Sequence, residues 1–148
     1  MMMTTSAPAV TSSELASRLR QAVTRLNRRL RTSALGGISP SQASALAMID
    51  RLGAPGVGEL ANAEQVRPPS MTRLVDALEA DGLVARRVDA ADRRCQRVSL
   101  TPAGKKALAA IRGRKAAFLE ARLSRLSAED RDAVGRALPV LERLAEDE

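Results

Sequence analysis

The side chains best suited to binding a ligand lie on a short predicted helix at residues 68–81. Its apolar residues recur at helical spacing and would form one buried stripe, which comprises Met71, Leu74, Val75 and Leu78. The outer face then carries Ser70, Thr72, Arg73 and Asp76. A guanidinium on such a face can form two parallel hydrogen bonds with a carboxylate, a phosphate or the edge of a guanine. The pattern therefore predicts a site for an anionic partner.

Two predicted elements would position these side chains. Pro68 and Pro69 favour the first turn of a helix that we expect to end at Asp81. A hairpin of two short strands should follow, Leu83–Val88 and Gln96–Leu100. The helix N-terminus would also offer backbone N–H donors to a phosphate. A polar, arginine-bearing helix beside a basic hairpin has a shape that fits a DNA groove.

Composition argues against an enzyme or a metal site. Because the chain has no histidine and only one cysteine, it cannot supply a Cys/His zinc site or a histidine-dependent triad. The acidic residues fall mainly at helix starts, turns and the C-terminal end, where capping accounts for them. We therefore expect no enzymatic activity, no metal and no cofactor.

The sequence also lacks the signals of export and of membrane insertion. Residues 1–13 have neither the basic nor the apolar region of a signal peptide. No apolar run approaches the roughly 20 residues that span a bilayer. We expect a cytoplasmic protein that makes no contact with a membrane.

The net charge of +7 is unevenly distributed along the chain. Residues 1–35 carry six arginines against one acid, and residues 102–126 carry seven basic residues against one. The last 22 residues reverse this, with three arginines against seven acids. The basic segments suit a polyanion, but a helical interaction protein that recruits an acidic partner would show the same charge pattern. Solvated helix faces are a third explanation.

The terminal helices carry apolar stripes that need a partner surface. A capping box at Thr11 and Glu14 begins the first helix, whose stripe comprises Leu15, Leu19, Val23, Leu26 and Leu30. Ser127 caps the last helix, whose stripe comprises Val134, Leu138, Leu141 and Leu144. Pro139 lies within that helix and should kink or interrupt it. Either the protein's own core or a second subunit would cover these stripes.

The middle of the chain has the pattern of a helix-turn-helix. Ser39 and Pro40 begin a second helix, which Gly53 ends, and Val57–Ala63 forms a short third helix. A tight link then leads into the helix at 68–81, although this link lacks the glycine that many such turns contain. Thr101 begins a long basic helix that we expect to reach about residue 125.

These motifs resemble the MarR family of bacterial transcription regulators. The matching segments are VGELA at 57–61, PSMTRLVDALEADGLVAR at 69–86 and DAADRRCQRVSLTPAG at 89–104. The resemblance implies a mainly α fold with a small β-hairpin, in which a winged helix-turn-helix is flanked by N- and C-terminal dimerisation helices. Residues 1–10 are small and polar, and we expect them to be a disordered tail. The resemblance places a single domain at 11–148, with dimerisation helices at 11–35 and 102–147 and the DNA-binding region at 39–101.

The resemblance also implies a function. We expect a homodimer that binds a palindromic site in double-stranded DNA and regulates transcription, most simply as a repressor that occludes a promoter. Such a dimer would cover both apolar stripes, and its two-fold symmetry would match that of the DNA. An unidentified small ligand would release it; members of the family commonly bind small, often aromatic acids.

Eight residues are candidates for contact with DNA: Pro69, Ser70, Thr72, Arg73, Arg86, Asp92, Arg93 and Arg94. Arg73 is the strongest candidate for reading a base in the major groove. By resemblance, Arg94 enters the minor groove and Asp92 holds its guanidinium. Arg86 and Arg93 are either phosphate contacts or solvated strand residues.

The signal that would release the protein is not evident from the chain. Family members that sense oxidants use a cysteine near the N-terminus, and residues 1–35 contain none. An exposed Cys95 thiol beside Arg93 and Arg94 would have a lowered pKa and could be oxidised, although we prefer to regard Cys95 as an incidental loop residue. Phe118 is the only aromatic residue, so a stacking pocket for an aromatic ligand is poorly provided.

Overall fold

The computed structural model describes residues 10–33 and 35–146, so the predicted disordered tail lies outside the described residues except for Val10. The helices are α1 (Ser12–Ser33), α2 (Pro40–Leu52), α3 (Val57–Ala63), α4 (Pro68–Ala80), α5 (Pro102–Leu123) and α6 (Ala128–Ala145). The strands β1 (Val84–Val88) and β2 (Gln96–Leu100) form an antiparallel hairpin. The predicted fold class, mainly α with a small hairpin, is confirmed.

Side-chain capping fixes where the main helices begin, as the sequence predicts. Ser39 and Gln42 form a reciprocal capping box at the start of α2. Ser127 Oγ accepts a hydrogen bond from the backbone N–H of Asp130 at the start of α6. Each contact satisfies a backbone donor that has no partner inside the helix, and a cap of this kind contributes about 1 kcal/mol.

One hydrophobic core holds the helix-turn-helix, the hairpin and the start of α5 together. Its fully or almost fully buried residues are Ala45, Leu46, Ile49, Leu60, Ala61, Met71, Val75, Leu78, Val84, Val98 and Leu108. Three of the four residues predicted for the inner stripe of α4 are buried, and Leu74 is half-buried against the same core. The core therefore fixes which face of α4 remains exposed.

The turn between α3 and α4 lacks glycine, yet it adopts a left-handed conformation. Gln65 has a φ of 55°, a value that glycine adopts at little cost and other residues adopt rarely. The N–H of Val66 donates to the carbonyl oxygen of Ala61 at 3.0 Å, which closes the end of α3. The missing glycine therefore does not prevent the helix-turn-helix from forming.

The hairpin is anchored to the start of α5 by close backbone contact. The hydroxyl of Thr101 donates to the carbonyl oxygen of Gly82 at 2.6 Å, and its N–H donates to the carbonyl oxygen of Leu83 at 3.0 Å. Gly104 is buried in the first turn of α5, where a β-carbon would overlap the Leu83 carbonyl. Glycine at this position therefore permits the helix to approach the hairpin closely.

The two terminal helices have no buried residues, although their apolar stripes form as predicted. In α1, Leu15 and Val23 are 59% and 54% exposed, and in α6, Leu138 and Leu144 are 48% and 69% exposed. The core of this chain therefore does not cover the stripes. A second subunit remains the alternative that the sequence offers.

The sequence predicts that Pro139 kinks or interrupts the last helix; α6 continues through Pro139, so the helix is not interrupted there. Proline removes one hydrogen bond, the one to the carbonyl of the residue four positions earlier, Gly135. Both positions are exposed, so water can bond to the freed carbonyl.

Candidate nucleic-acid interface

The outer face of α4 presents the polar side chains that the sequence placed there. Ser70, Thr72 and Arg73 are exposed, while Met71 and Val75 are buried beneath them. The hydroxyl of Thr72 donates to the carbonyl oxygen of Pro68 at 3.0 Å, which leaves its lone pairs and its methyl group for other contacts. Pro69 is exposed in the first turn. This face can therefore offer donors, acceptors and a guanidinium to a ligand.

The expectation that the N-terminus of α4 offers free backbone donors is wrong. Pro68 and Pro69 have no N–H group. The N–H groups of Ser70 and Met71 both donate to the carbonyl oxygen of Arg67, at 3.0 and 3.1 Å. The side chains of this turn, rather than its backbone, are therefore available to an anion.

The tip of the hairpin holds Arg94 in the way that the resemblance implied. Arg94 Nε lies 3.2 Å from Asp92 Oδ1, and the same oxygen accepts the backbone N–H of Arg94 at 3.1 Å. These hydrogen bonds hold the pKa of Asp92 below its usual value, so the carboxylate remains ionised at neutral pH. The Arg94 side chain is nevertheless 91% exposed. An oriented and exposed guanidinium is suited to insertion into a narrow, electronegative groove.

Arg86 lies in an arrangement that the sequence analysis did not include among its alternatives. Its Nη2 lies 2.6 Å from Asp76 Oδ1, and its Nη1 lies 3.3 Å from Glu79 Oε1. Both carboxylates belong to α4, and the Arg86 side chain is only 19% exposed. Arg86 therefore links β1 to α4 through two ion pairs. The acidic pair three residues apart on α4 was the only sequence signal of this contact.

A second arginine braces the other side of the hairpin. Arg97 Nε lies 3.0 Å from Asp89 Oδ2, and Arg97 Nη1 lies 3.7 Å from Glu59 Oε2 at the start of α3. The N–H of Val98 also donates to the carbonyl oxygen of Pro55 at 2.8 Å. The hairpin is therefore held on both sides, and its tip projects from a fixed base.

The remaining arginines of the hairpin, Arg87 and Arg93, are exposed. Arg87 follows Arg86 in β1 and points to the opposite face of the strand, as expected from strand geometry. Arg93 and Arg94 line a groove beside Gly56–Glu59, the segment where α3 begins. The exposed positive charge of the hairpin therefore lies at the tip, on Arg93 and Arg94, and also on β1, where Arg87 pairs in register with Arg97.

The expectation of a lowered Cys95 pKa is wrong. The Cys95 thiol lies 3.7 Å from Asp92 Oδ2, and the negative charge of this carboxylate raises the thiol pKa, with desolvation adding to the effect. A raised pKa keeps the thiol protonated at neutral pH, whereas oxidants react with the thiolate. The preferred interpretation, an incidental loop residue, is thereby strengthened.

A cavity that the sequence analysis did not identify lies between α1, α2 and α5. Its volume is about 290 Å³, and its lining includes Asn27, Arg31, Leu35, Ala43, Ser44 and Lys115. The hydroxyl of Ser44 donates to Glu64 Oε2 at 2.6 Å, at the end of α3. Arg31 and Lys115 belong to the basic segments that the sequence could equally assign to solvated faces. The cavity combines two positive charges with further polar side chains and a smaller apolar part, to which Leu35 and Ala43 belong.

The described residues, 10–33 and 35–146, contain no group of His, Cys, Asp and Glu side chains arranged to hold a metal ion. None of the helices in this part of the chain is both long and apolar enough to cross a membrane.

Comparison with known proteins identifies the family. The model of the MarR family matches residues 38–96. A helix-turn-helix-type transcriptional regulator of Mycobacterium tuberculosis is 37% identical over 134 residues, covering 90% of this chain and 94% of that protein. A Pseudomonas aeruginosa structure described as a transcriptional regulator has a TM-score of 0.81 at 35% identity, covering 95% of this chain and 99% of the other.

A more distant structure was solved with nucleic acid. A mutant of Staphylococcus aureus MepR bound to an oligodeoxyribonucleotide has a TM-score of 0.67 at 21% identity, covering 89% of this chain and 98% of the other, and shows the shared fold alone. The closer relatives above are regulators of transcription and not enzymes. With its winged helix-turn-helix and its extensive match to these regulators, the chain belongs to the MarR family of DNA-binding transcriptional regulators.

Proposed function

We propose that this regulator is a homodimeric repressor that binds a palindromic site in double-stranded DNA and is released by a small organic acid. The observation that carries the proposal is the pairing of two exposed arginines on rigid supports. Arg73 lies on the outer face of α4, and Arg94 lies at the tip of a braced hairpin with Asp92 as its support. Both guanidiniums are available to a polyanion.

In the proposed complex, α4 lies in the major groove and the hairpin lies along the adjacent minor groove. Arg73 bonds the O6 and N7 atoms of a guanine, while Ser70 and Thr72 contact bases or phosphates. Arg94 enters the minor groove, where a narrow width concentrates negative potential. Arg87 in β1 and Arg93 beside the tip contact phosphates, because both side chains are exposed.

The exposed apolar stripes support a homodimer. Burying a leucine side chain contributes about 1.5–3 kcal/mol, so stripes left in water on both α1 and α6 represent a large unused stabilisation. An interface built from the same surface on both subunits is two-fold symmetric. Two α4 helices related by that axis would read two half-sites about one helical turn apart. A dimer bound there occludes any promoter that overlaps the two half-sites.

The cavity beside α1 is the proposed effector site. Arg31 and Lys115 would bind the carboxylate of an organic acid, and the apolar lining would receive its body. Phe118 is not part of the described lining, so the site offers no aromatic ring for stacking. Competition for the Ser44 hydroxyl would release Glu64 at the turn before α4, which gives the ligand a route to the DNA-reading helix.

Replacing Arg73 tests the major-groove assignment. Arg73→Ala should lower the ratio of operator affinity to mismatched-DNA affinity by about tenfold, because a bidentate contact with guanine discriminates between bases. Arg73→Lys is the matched control, since it keeps the charge and loses the fork. Fluorescence anisotropy on operator and scrambled duplexes gives both affinities. A uniform loss on all sequences would instead identify Arg73 as a phosphate contact.

Replacing Lys115 tests the effector site. Consider an organic acid that dissociates the protein from its operator. In Lys115→Gln, the concentration of acid needed for dissociation should rise by about tenfold or more, because a charge-assisted contact with the carboxylate is removed. Affinity of the ligand-free protein for DNA should remain unchanged. Lys106→Gln, on the same helix but outside the described lining, is the matched control. An equal response in Lys115→Gln and the unmodified protein would place the effector elsewhere.

A further inference from the structure

We propose that Arg86 is a positioning residue for DNA binding: it holds the hairpin against α4 and neutralises two carboxylates of that helix, and it does not itself contact a phosphate. The inference rests on the proposed function, since it assumes that α4 faces DNA. It replaces the alternatives that the sequence offered for Arg86, a phosphate contact or a solvated residue.

The geometry of the guanidinium carries the first step. Its two terminal nitrogens bond different acids, Asp76 at 2.6 Å and Glu79 at 3.3 Å. These residues lie one turn apart on α4, so the fork of Arg86 spans the end of the helix. With both terminal nitrogens engaged and only 19% of the side chain exposed, little of Arg86 remains for a phosphate. Lysine could not reproduce this two-armed contact, because it carries a single point charge.

The charges on α4 carry the second step. Asp76 lies on the outer, polar face together with Arg73, and its side chain is 59% exposed. An unpaired carboxylate on a helix that faces DNA would repel the phosphates, and it would do so most strongly at low salt. Arg86 supplies the positive charge that offsets Asp76 and Glu79. Removing Arg86 therefore exposes two negative charges to DNA as well as loosening the hairpin.

The position of Arg86 in the hairpin carries the third step. It pairs in register with Val98, which is fully buried, so the backbone of Arg86 is fixed against the core. An ion pair from this point to α4 sets the angle between the hairpin and the helix. That angle determines whether Arg73 and Arg94 reach neighbouring grooves together.

The proposal is tested by a mutant cycle in which the affinity for DNA is measured. Operator and scrambled-duplex affinities are measured at several salt concentrations for the unmodified protein, for Arg86→Ala, for Asp76→Asn with Glu79→Gln, and for the triple variant. Arg87→Ala, the exposed neighbour on the opposite face of β1, is the matched control, alone and with the two acid substitutions. Thermal unfolding of each protein reports whether it is folded and measures the coupling between Arg86 and the acids.

The proposal predicts that Arg86→Ala weakens operator binding by about tenfold and that removal of the two acids restores the part of that loss that the unpaired carboxylates cause. The acid substitutions alone break the same ion pairs but leave no carboxylate unpaired, so they should weaken binding by less than Arg86→Ala does. Any operator affinity that Arg87→Ala loses should not be restored by the two acid substitutions. The loss in Arg86→Ala should shrink as salt rises, because salt screens the two unpaired carboxylates. In the triple variant, the slope of log affinity against log salt should match that of the unmodified protein, because no phosphate contact is lost.

Two results would overturn the proposal. A triple variant as weak as Arg86→Ala, with the salt slope reduced by about 0.9, would make Arg86 a direct phosphate contact and overturn the proposal. A tenfold loss on substituting the acids alone would overturn it too, because the acids would then contact DNA. Failure of the proposed function appears separately, as an unmodified protein that does not prefer its operator over scrambled DNA. The coupling measured by unfolding would still report the ion pairs.

Discussion

Replacing Leu138 and Leu141 with glutamate should convert the protein into a folded monomer that has lost specific binding to its operator. Both side chains lie on the apolar stripe of α6, and they are 48% and 37% exposed in the protomer. The protomer's own core does not depend on them, but the proposed interface would have to bury two charges. A monomer reaches only one half-site, so affinity should fall by about a thousandfold, towards that for unrelated DNA.

The matched control places charge on the other side of the same helix. Arg136→Glu with Arg143→Glu alters the net charge more than the leucine substitutions do, yet both arginines lie away from the stripe. Sedimentation velocity should find this control dimeric and the leucine variant monomeric, with similar far-ultraviolet circular dichroism. A leucine variant that remains dimeric would show that the interface lies elsewhere on the molecule.

Arg94→Ala should weaken operator binding by about 5- to 150-fold and leave the dimer intact. The guanidinium is 91% exposed, so its removal leaves no cavity in the fold, and Asp92 is left without the charge that it orients. The loss should be largest on operators with A·T-rich flanks, where the minor groove is narrow.

Arg93→Ala is the control for Arg94, since it removes a neighbouring exposed arginine that has no such support from Asp92. We expect a smaller loss that is similar on all sequences, as for a phosphate contact. Anisotropy titrations on operators with A·T-rich and G·C-rich flanks distinguish the two variants. Unchanged operator affinity in Arg94→Ala would remove the hairpin tip from the mechanism.

The sequence predicts most of the fold because its signals act over one or two helical turns. Caps at Ser39 and Ser127 and the apolar spacing within α4 depend on nearby residues alone. The hairpin prediction differs by one residue at Leu83, whose N–H closes the end of α4 by donating to the carbonyl oxygen of Leu78 at 2.9 Å. Strand pairing therefore begins at Val84.

What the sequence could not predict depends on the crossing of separate elements. Arg86 and Asp76 are ten residues apart, and only the packing of β1 across α4 brings them to 2.6 Å. The Cys95 pKa likewise depends on which neighbour the thiol faces, and it faces the carboxylate of Asp92. Gly104 shows the same limit, because its necessity arises from the carbonyl of Leu83, which is distant in sequence.

Selection of DNA by the purified protein from a random pool of duplexes tests the central claim most directly. The account predicts enrichment of a palindrome whose half-sites are centred about one helical turn, or 10 base pairs, apart, with a guanine in each half-site. Arg73→Ala should lose that guanine while keeping the spacing. Recovery of no common sequence, or of a single unrepeated half-site, would contradict a dimer that reads DNA through two copies of α4.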